Sequence, residues 1–144
     1  MNSKDDAKYR LKLAEGFLKE ARQNFDYRQI RSCVDNSQLA IENGAKAVII
    51  CFGPLGKTHN PVNALRRILK QEKLTSEIER LINDLLPLIE GFGEEKHILI
   101  DYGDEESYTL PWNLFDENDA REAVERACKV IDLARKVVGK IIGE

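Results

Sequence analysis

No stretch of this chain stays apolar over the ~18 residues that a membrane span requires, so no membrane partner is expected. The opening residues, MNSKDDAKYRLK, lack the apolar core of a secretory signal, and a cytoplasmic location is the expectation. Cysteine is scarce. Cys33, Cys51 and Cys128 are odd in number and widely spaced, with no CxxC pair. That pattern suits neither a zinc site nor a dithiol redox motif, and buried free thiols are expected. Histidine is scarcer still, with His59 and His97 the only two. His97 with Glu94 and Asp101 has ligand-like chemistry, but one His among scattered acids rarely makes a metal site. No metal and no cofactor are therefore expected. The chain has no Gly-rich phosphate loop followed by Lys-Ser/Thr and no Ser/His/Asp set in a recognisable context. It also has no internal repeat and no low-complexity tract, and its strand patterning is weak throughout. None of this names a substrate.

What the chain does have is helical periodicity. At 144 residues it is expected to form one domain, 1–144, long enough for a core without staples. The stretch from Tyr27 to Phe52 is central. Ile30, Cys33, Val34, Ser37, Ala40, Ile41, Gly44, Ala45, Val48 and Ile49 recur at helical spacing on one broad face. Ser37, Ala40, Gly44 and Ala45 are small enough for a neighbouring helix to approach closely. Gly53 is placed to act as a left-handed cap and Pro54 to stop the helix. A first helix is expected over about Asp5 to Phe25, antiparallel to the central one because the connection is short. The segment FGPLGKTHNP is the strongest loop signal. Pro61 opens a third helix, Thr75 or Ser76 caps a fourth, and Pro87 kinks or ends it. Residues 91–115 read as irregular, with HILIDY open between a short helix and an extended piece. Asp116 caps a last helix that runs to Gly143. The expectation is all-α: an up-and-down bundle of about five helices, with a long irregular loop before the last.

Charge is uneven along the chain. Lys57, Arg66, Arg67, Lys70 and Lys73 dominate residues 57–73, and acids dominate residues 94–125. A basic end and an acidic end are expected. Lys57, Thr58 and His59 precede a helix N-terminus, where free amides favour an anion, and Arg66, Arg67 and Lys70 follow on that helix. These six are the candidate nucleotide- or anion-binding residues. The alternative is a solvated face with His59 packed against its loop. Tyr102, Tyr108, Trp112 and Phe115 suit either a stacking platform for bases or anchors that hold the irregular segment to the bundle.

Three stretches carry a resemblance. Within Asp26–Ile49 the pattern of Ser37, Gln38, Ala40, Glu42, Ala45, Lys46 and Ala47 resembles the second helix of the HEPN family, the higher eukaryotes and prokaryotes nucleotide-binding domains. KTHNPVNAL resembles that family's Lys-Thr-His opening of the third helix, and the segment from Asp101 to Val138 resembles its tyrosine-containing loop and capped last helix. The resemblance covers most of the chain. It implies a helical bundle, usually a homodimer, with roles near nucleotides or RNA. Some members are RNases in toxin systems, and others partner a minimal nucleotidyltransferase. RNase members carry an Arg and a His with four to six residues between them. No such pair exists here, and Arg31 with Asn36 has similar spacing without a titratable base. A non-catalytic binding module is therefore expected, pairing with a nucleotidyltransferase or binding a nucleotide. The alternative is a divergent RNase of a toxin–antitoxin system that acts on RNA through Arg31 and His59.

Overall fold

The computed structural model describes residues 3–54, 60–90 and 94–143, with the side chains of residues 94, 95 and 97 left out. The helices are α1 (Ser3–Asp26), α2 (Ile30–Ile50), α3 (Pro61–Gln71), α4 (Ser76–Ile89), α5 (Glu94–Tyr102), α6 (Pro111–Leu114) and α7 (Glu117–Ile142). The all-α class stands. Among the described residues the count is seven against an expected five or so, because residues 94–115 hold α5, α6 and a tight turn. HILIDY is helical. Its only buried member with a described side chain is Ile100, so α5 has no apolar stripe for periodicity to find.

Local chemistry sets most of the boundaries. Asp116 and Asp119 form a reciprocal capping box at the start of α7, each side chain accepting from the other's N–H at 2.9 Å. Gly143 ends α7 in the left-handed conformation at φ 77°. Thr75 caps α4 by accepting from the Ile78 N–H at 3.2 Å. Pro87 lies inside the last turn of α4, which runs on to Ile89. The end of α2 differs from expectation. It closes through a right-handed Cys51, and Gly53 lies beyond it at φ 152°.

Helix α2 is the axis of the bundle. Thirteen of its residues are buried, from Cys33 to Ile50. Helix α1 runs antiparallel to it, with Arg10 donating to Asn43 at one end and Asn36 to Asn24 at the other. Helix α7 runs parallel to α2: Cys33 meets the Ala120 carbonyl, and Gly44 meets Val130, Ile131 and Ala134. A Cβ on Gly44 would fall 3.0 Å from the Val130 side chain, so this crossing is as close as glycine allows. Helix α4 lies antiparallel to α7, fixed by Arg126 on the Leu88 carbonyl and by Lys140 on Glu77 at 2.8 Å. One hydrophobic cluster joins α1, α2, α3, α4 and α7. The small-residue surface of α2 is thus covered within its own chain. A second copy is not needed to cover it.

The charged segments are also less separated than the sequence suggested. Arg66 of the basic stretch bonds Glu90 at 2.6 Å, and Glu90 shares a pocket with Lys96, Asp119, Glu122 and Arg126.

Candidate functional site

Helix α3 begins with Asn60 as its cap. The Asn60 side chain accepts from the Val62 N–H at 3.1 Å and the Asn63 N–H at 3.3 Å, and its carbonyl accepts from Ala64. Pro61 has no N–H to offer. The Val62, Asn63 and Ala64 amides of the first turn are therefore already bonded to Asn60. Lys57, Thr58 and His59 lie outside the described residues. The rest of the candidate set separates on α3. Arg66 is committed to Glu90, while Arg67 and Lys70 are exposed, and neither shows a hydrogen-bond or ion-pair partner among the described residues.

Arg67 stands at the rim of a half-open pocket of about 170 Å³ between α3 and the end of α2. Ile49, Phe52, Ala64 and Ile68 make its apolar wall, and Gln71 and Glu72 lie at its edge. Ligand sites usually measure roughly 300–1,000 Å³. This pocket is too small to enclose a nucleotide. What α3 offers is a cationic edge above a shallow apolar step.

Arg31, the arginine of the nearest nuclease-like spacing, is held elsewhere. Its Nε donates to the Ile100 carbonyl at 2.6 Å, its Nη2 lies 3.3 Å from the Asp101 carboxylate, and the guanidinium stands 6.0 Å from the centre of the Trp112 ring. Asn36 is also engaged, donating to Asn24 at 2.8 Å. Both are structural links: Arg31 ties α2 to α5 and α6, and Asn36 ties α2 to α1. The periodicity of α2 gave no sign of this, because the partners come from a segment that looked irregular.

The three cysteines are free, Cys33 buried as expected and Cys51 and Cys128 half-buried. Burial pushes the Cys33 thiol up, and that of Cys51 up to about 11, so neither supplies a thiolate near neutrality. Cys128 accepts a hydrogen bond from Arg22. Among the described residues no three His, Cys, Asp or Glu side chains gather as metal ligands would, and no helix is long and apolar enough to cross a membrane.

The aromatics divide. Phe115 is half-buried and packs with Cys33, Val34, Ile100 and Ala120. Tyr102, Tyr108 and Trp112 are exposed at 69%, 93% and 67%. Of the four, Phe115 packs into the core, and Trp112 meets only the Arg31 guanidinium at 6.0 Å among the described residues.

Two comparisons with known proteins agree with this architecture. The family model described as the HEPN domain matches residues 7–137. The chain is also 23% identical over 141 residues, 91% of each chain, to a protein of Methanocaldococcus jannaschii named "Putative toxin MJ1304".

Proposed function

The chain belongs to the HEPN domain family, and on that premise we propose that it is a non-catalytic binding module, one that pairs with a minimal nucleotidyltransferase or holds a nucleotide. The observation that carries this reading is the engagement of Arg31. A nuclease arginine must face the scissile phosphate and work beside a proton shuttle. Arg31 faces the Ile100 carbonyl and Asp101 instead, and Asn36 in the shuttle's position cannot titrate. The cationic edge of Arg67 and Lys70 is where an anionic partner or phosphate would sit. The small volume of the adjacent pocket favours a partner lying across α3 over a ligand enclosed within it.

A second reading, an RNase of a toxin–antitoxin pair, draws on the name of the M. jannaschii relative. One experiment separates the two. Purified protein is incubated with single-stranded RNA at neutral pH, and binding of ATP and of the same RNA is titrated against salt. The expected result is intact RNA. Any binding should weaken as salt rises, since each neutralised phosphate releases counterions. It should fall about fivefold or more in Arg67→Glu/Lys70→Glu. Cleavage that disappears in Arg31→Ala or His59→Ala would establish the RNase reading instead.

A further inference from the structure

We propose that the face made by the end of α5, the turn after it and α6 docks a partner protein through a segment that carries cationic side chains among apolar ones. The face is separate from the α3 edge, and the inference stands whether or not the chain cleaves RNA.

The first observation is exposure. Tyr102, Tyr108 and Trp112 are each at least two-thirds exposed, and Leu110 and Ile98 are about half exposed. At about 150–250 Å² per aromatic side chain, the three rings alone leave roughly 400 Å² open, as large as the largest apolar patch of a typical monomer, which is often functional. They are near one another along the backbone. A Cβ on Gly103, next to Tyr102, would collide with the Thr109 carbonyl oxygen and fall 2.9 Å from the Pro111 nitrogen, next to Trp112.

The second observation is that the turn is built rather than loose. Asp104 and Thr109 exchange both backbone hydrogen bonds at 2.9 Å. The Asp104 carboxylate accepts from the Glu106 and Ser107 N–H groups, and the Ser107 and Thr109 hydroxyls meet at 2.7 Å. Tyr108 takes φ 56°, a conformation costly for an aromatic residue, yet its side chain gains no burial. The turn itself requires that backbone, since Tyr108 is the last residue before the Asp104–Thr109 pair closes, and it leaves the ring in solvent. A turn whose backbone is already fixed loses little backbone entropy on binding, which suits a docking surface.

Charge identifies the occupant. From Ile98 to Trp112 there are four acids, Asp101, Asp104, Glu105 and Glu106, and no Lys or Arg. Arg31 approaches from α2, but Asp101 meets its charge. A phosphate backbone would be repelled here, which argues against a base-stacking role. Two copies meeting through this face about a two-fold axis would bring acid against acid. A cationic, apolar protein segment satisfies both the rings and the rim.

Trp112 is the only tryptophan, so its fluorescence reports this face alone. The probe is a 12-residue synthetic peptide of alternating Lys and Leu pairs, compared with the same peptide carrying Glu for Lys. The Lys peptide should shift Trp112 emission to shorter wavelength and saturate. Binding should weaken at least tenfold in Glu105→Lys/Glu106→Lys and in Leu110→Ser, with helical circular dichroism unchanged. Reversing Glu79 and Asp84 on α4 should leave binding within twofold. The proposal is overturned by no response to the Lys peptide, by equal binding of the Glu peptide, or by equal loss on reversing the α4 acids. A shift with oligouridylate would assign the face to nucleic acid. A shift that grows with protein concentration alone, with dimer in sedimentation, would assign it to a second copy.

Discussion

At the scale of single residues, three positions carry most of the strain and opportunity in the core. Gly44 sits where α2 and α7 come closest. Alanine there gains about 1 kcal/mol of helix propensity but requires Val130 to yield a few tenths of an ångström, so the two effects nearly cancel. Valine brings two more methyl groups to the same contact, and Gly44→Val should lose roughly 1–3 kcal/mol in urea unfolding. Gln38 shows the opposite case. It is 2% exposed, and its Oε1 has no hydrogen-bond partner among the described residues. An unbonded buried acceptor costs about 1–3 kcal/mol, so the isosteric Gln38→Met should raise stability by about 1 kcal/mol. A loss of stability instead would mean that Gln38 is bonded after all. Cys51 couples stability to pH. Burial pushes its thiol up to about 11 in the folded state, from an ordinary value near 9.0. The folded state therefore holds the thiol proton more tightly. That contribution is complete below pH 9 and is lost as pH rises from 9 towards 11. Cys51→Ala should flatten the fall in melting temperature across that window.

At the scale of elements, legibility tracked burial. Helices α1, α2, α4 and α7 each bury a stripe of side chains, and their periodicity was readable to within a few residues, as were the caps of α4 and α7 but not the end of α2. Helix α5 buries Ile100 and leaves Ile98 about half exposed, so no stripe could reveal it. The turn of residues 103–110 depends on Gly103 at φ 76°, packed against the backbone of Thr109 and Leu110. A single glycine among polar residues does not announce such a contact in sequence. Gly103→Ala should open this turn, move Trp112 away from Arg31, and change near-ultraviolet circular dichroism while the far-ultraviolet signal stays helical. The candidate site was legible only as composition. Lys and Arg on α3 were plain, but the Asn60 side chain closing the first-turn amides and Glu90 neutralising Arg66 are tertiary and local facts that charge counting misses. Removing the capping box by Asp116→Ala should cost about 1 kcal/mol.

At the scale of the whole molecule, the fold decides which surfaces remain for partners. With α2 covered by α1, α7 and their neighbours, a homodimer of the kind the family resemblance implies would have to form through another face. We expect sedimentation equilibrium at micromolar concentration to give a dimer, with Trp112 emission unchanged on dilution. A monomer there would remove the dimer reading. The parallel seam between α2 and α7 also has a consequence in time. Its contacts join residues as far apart as Cys33 and Ala120, 87 positions along the chain. Helices α1 and α2 can pair as soon as both leave the ribosome. The other side of α2 must wait for α7, on the order of ten seconds at ordinary synthesis rates. Through that interval the nascent protein carries the α7-facing side of its axis bare, and closure of the last helix is the step that ends that side's exposure to chaperones and to other chains.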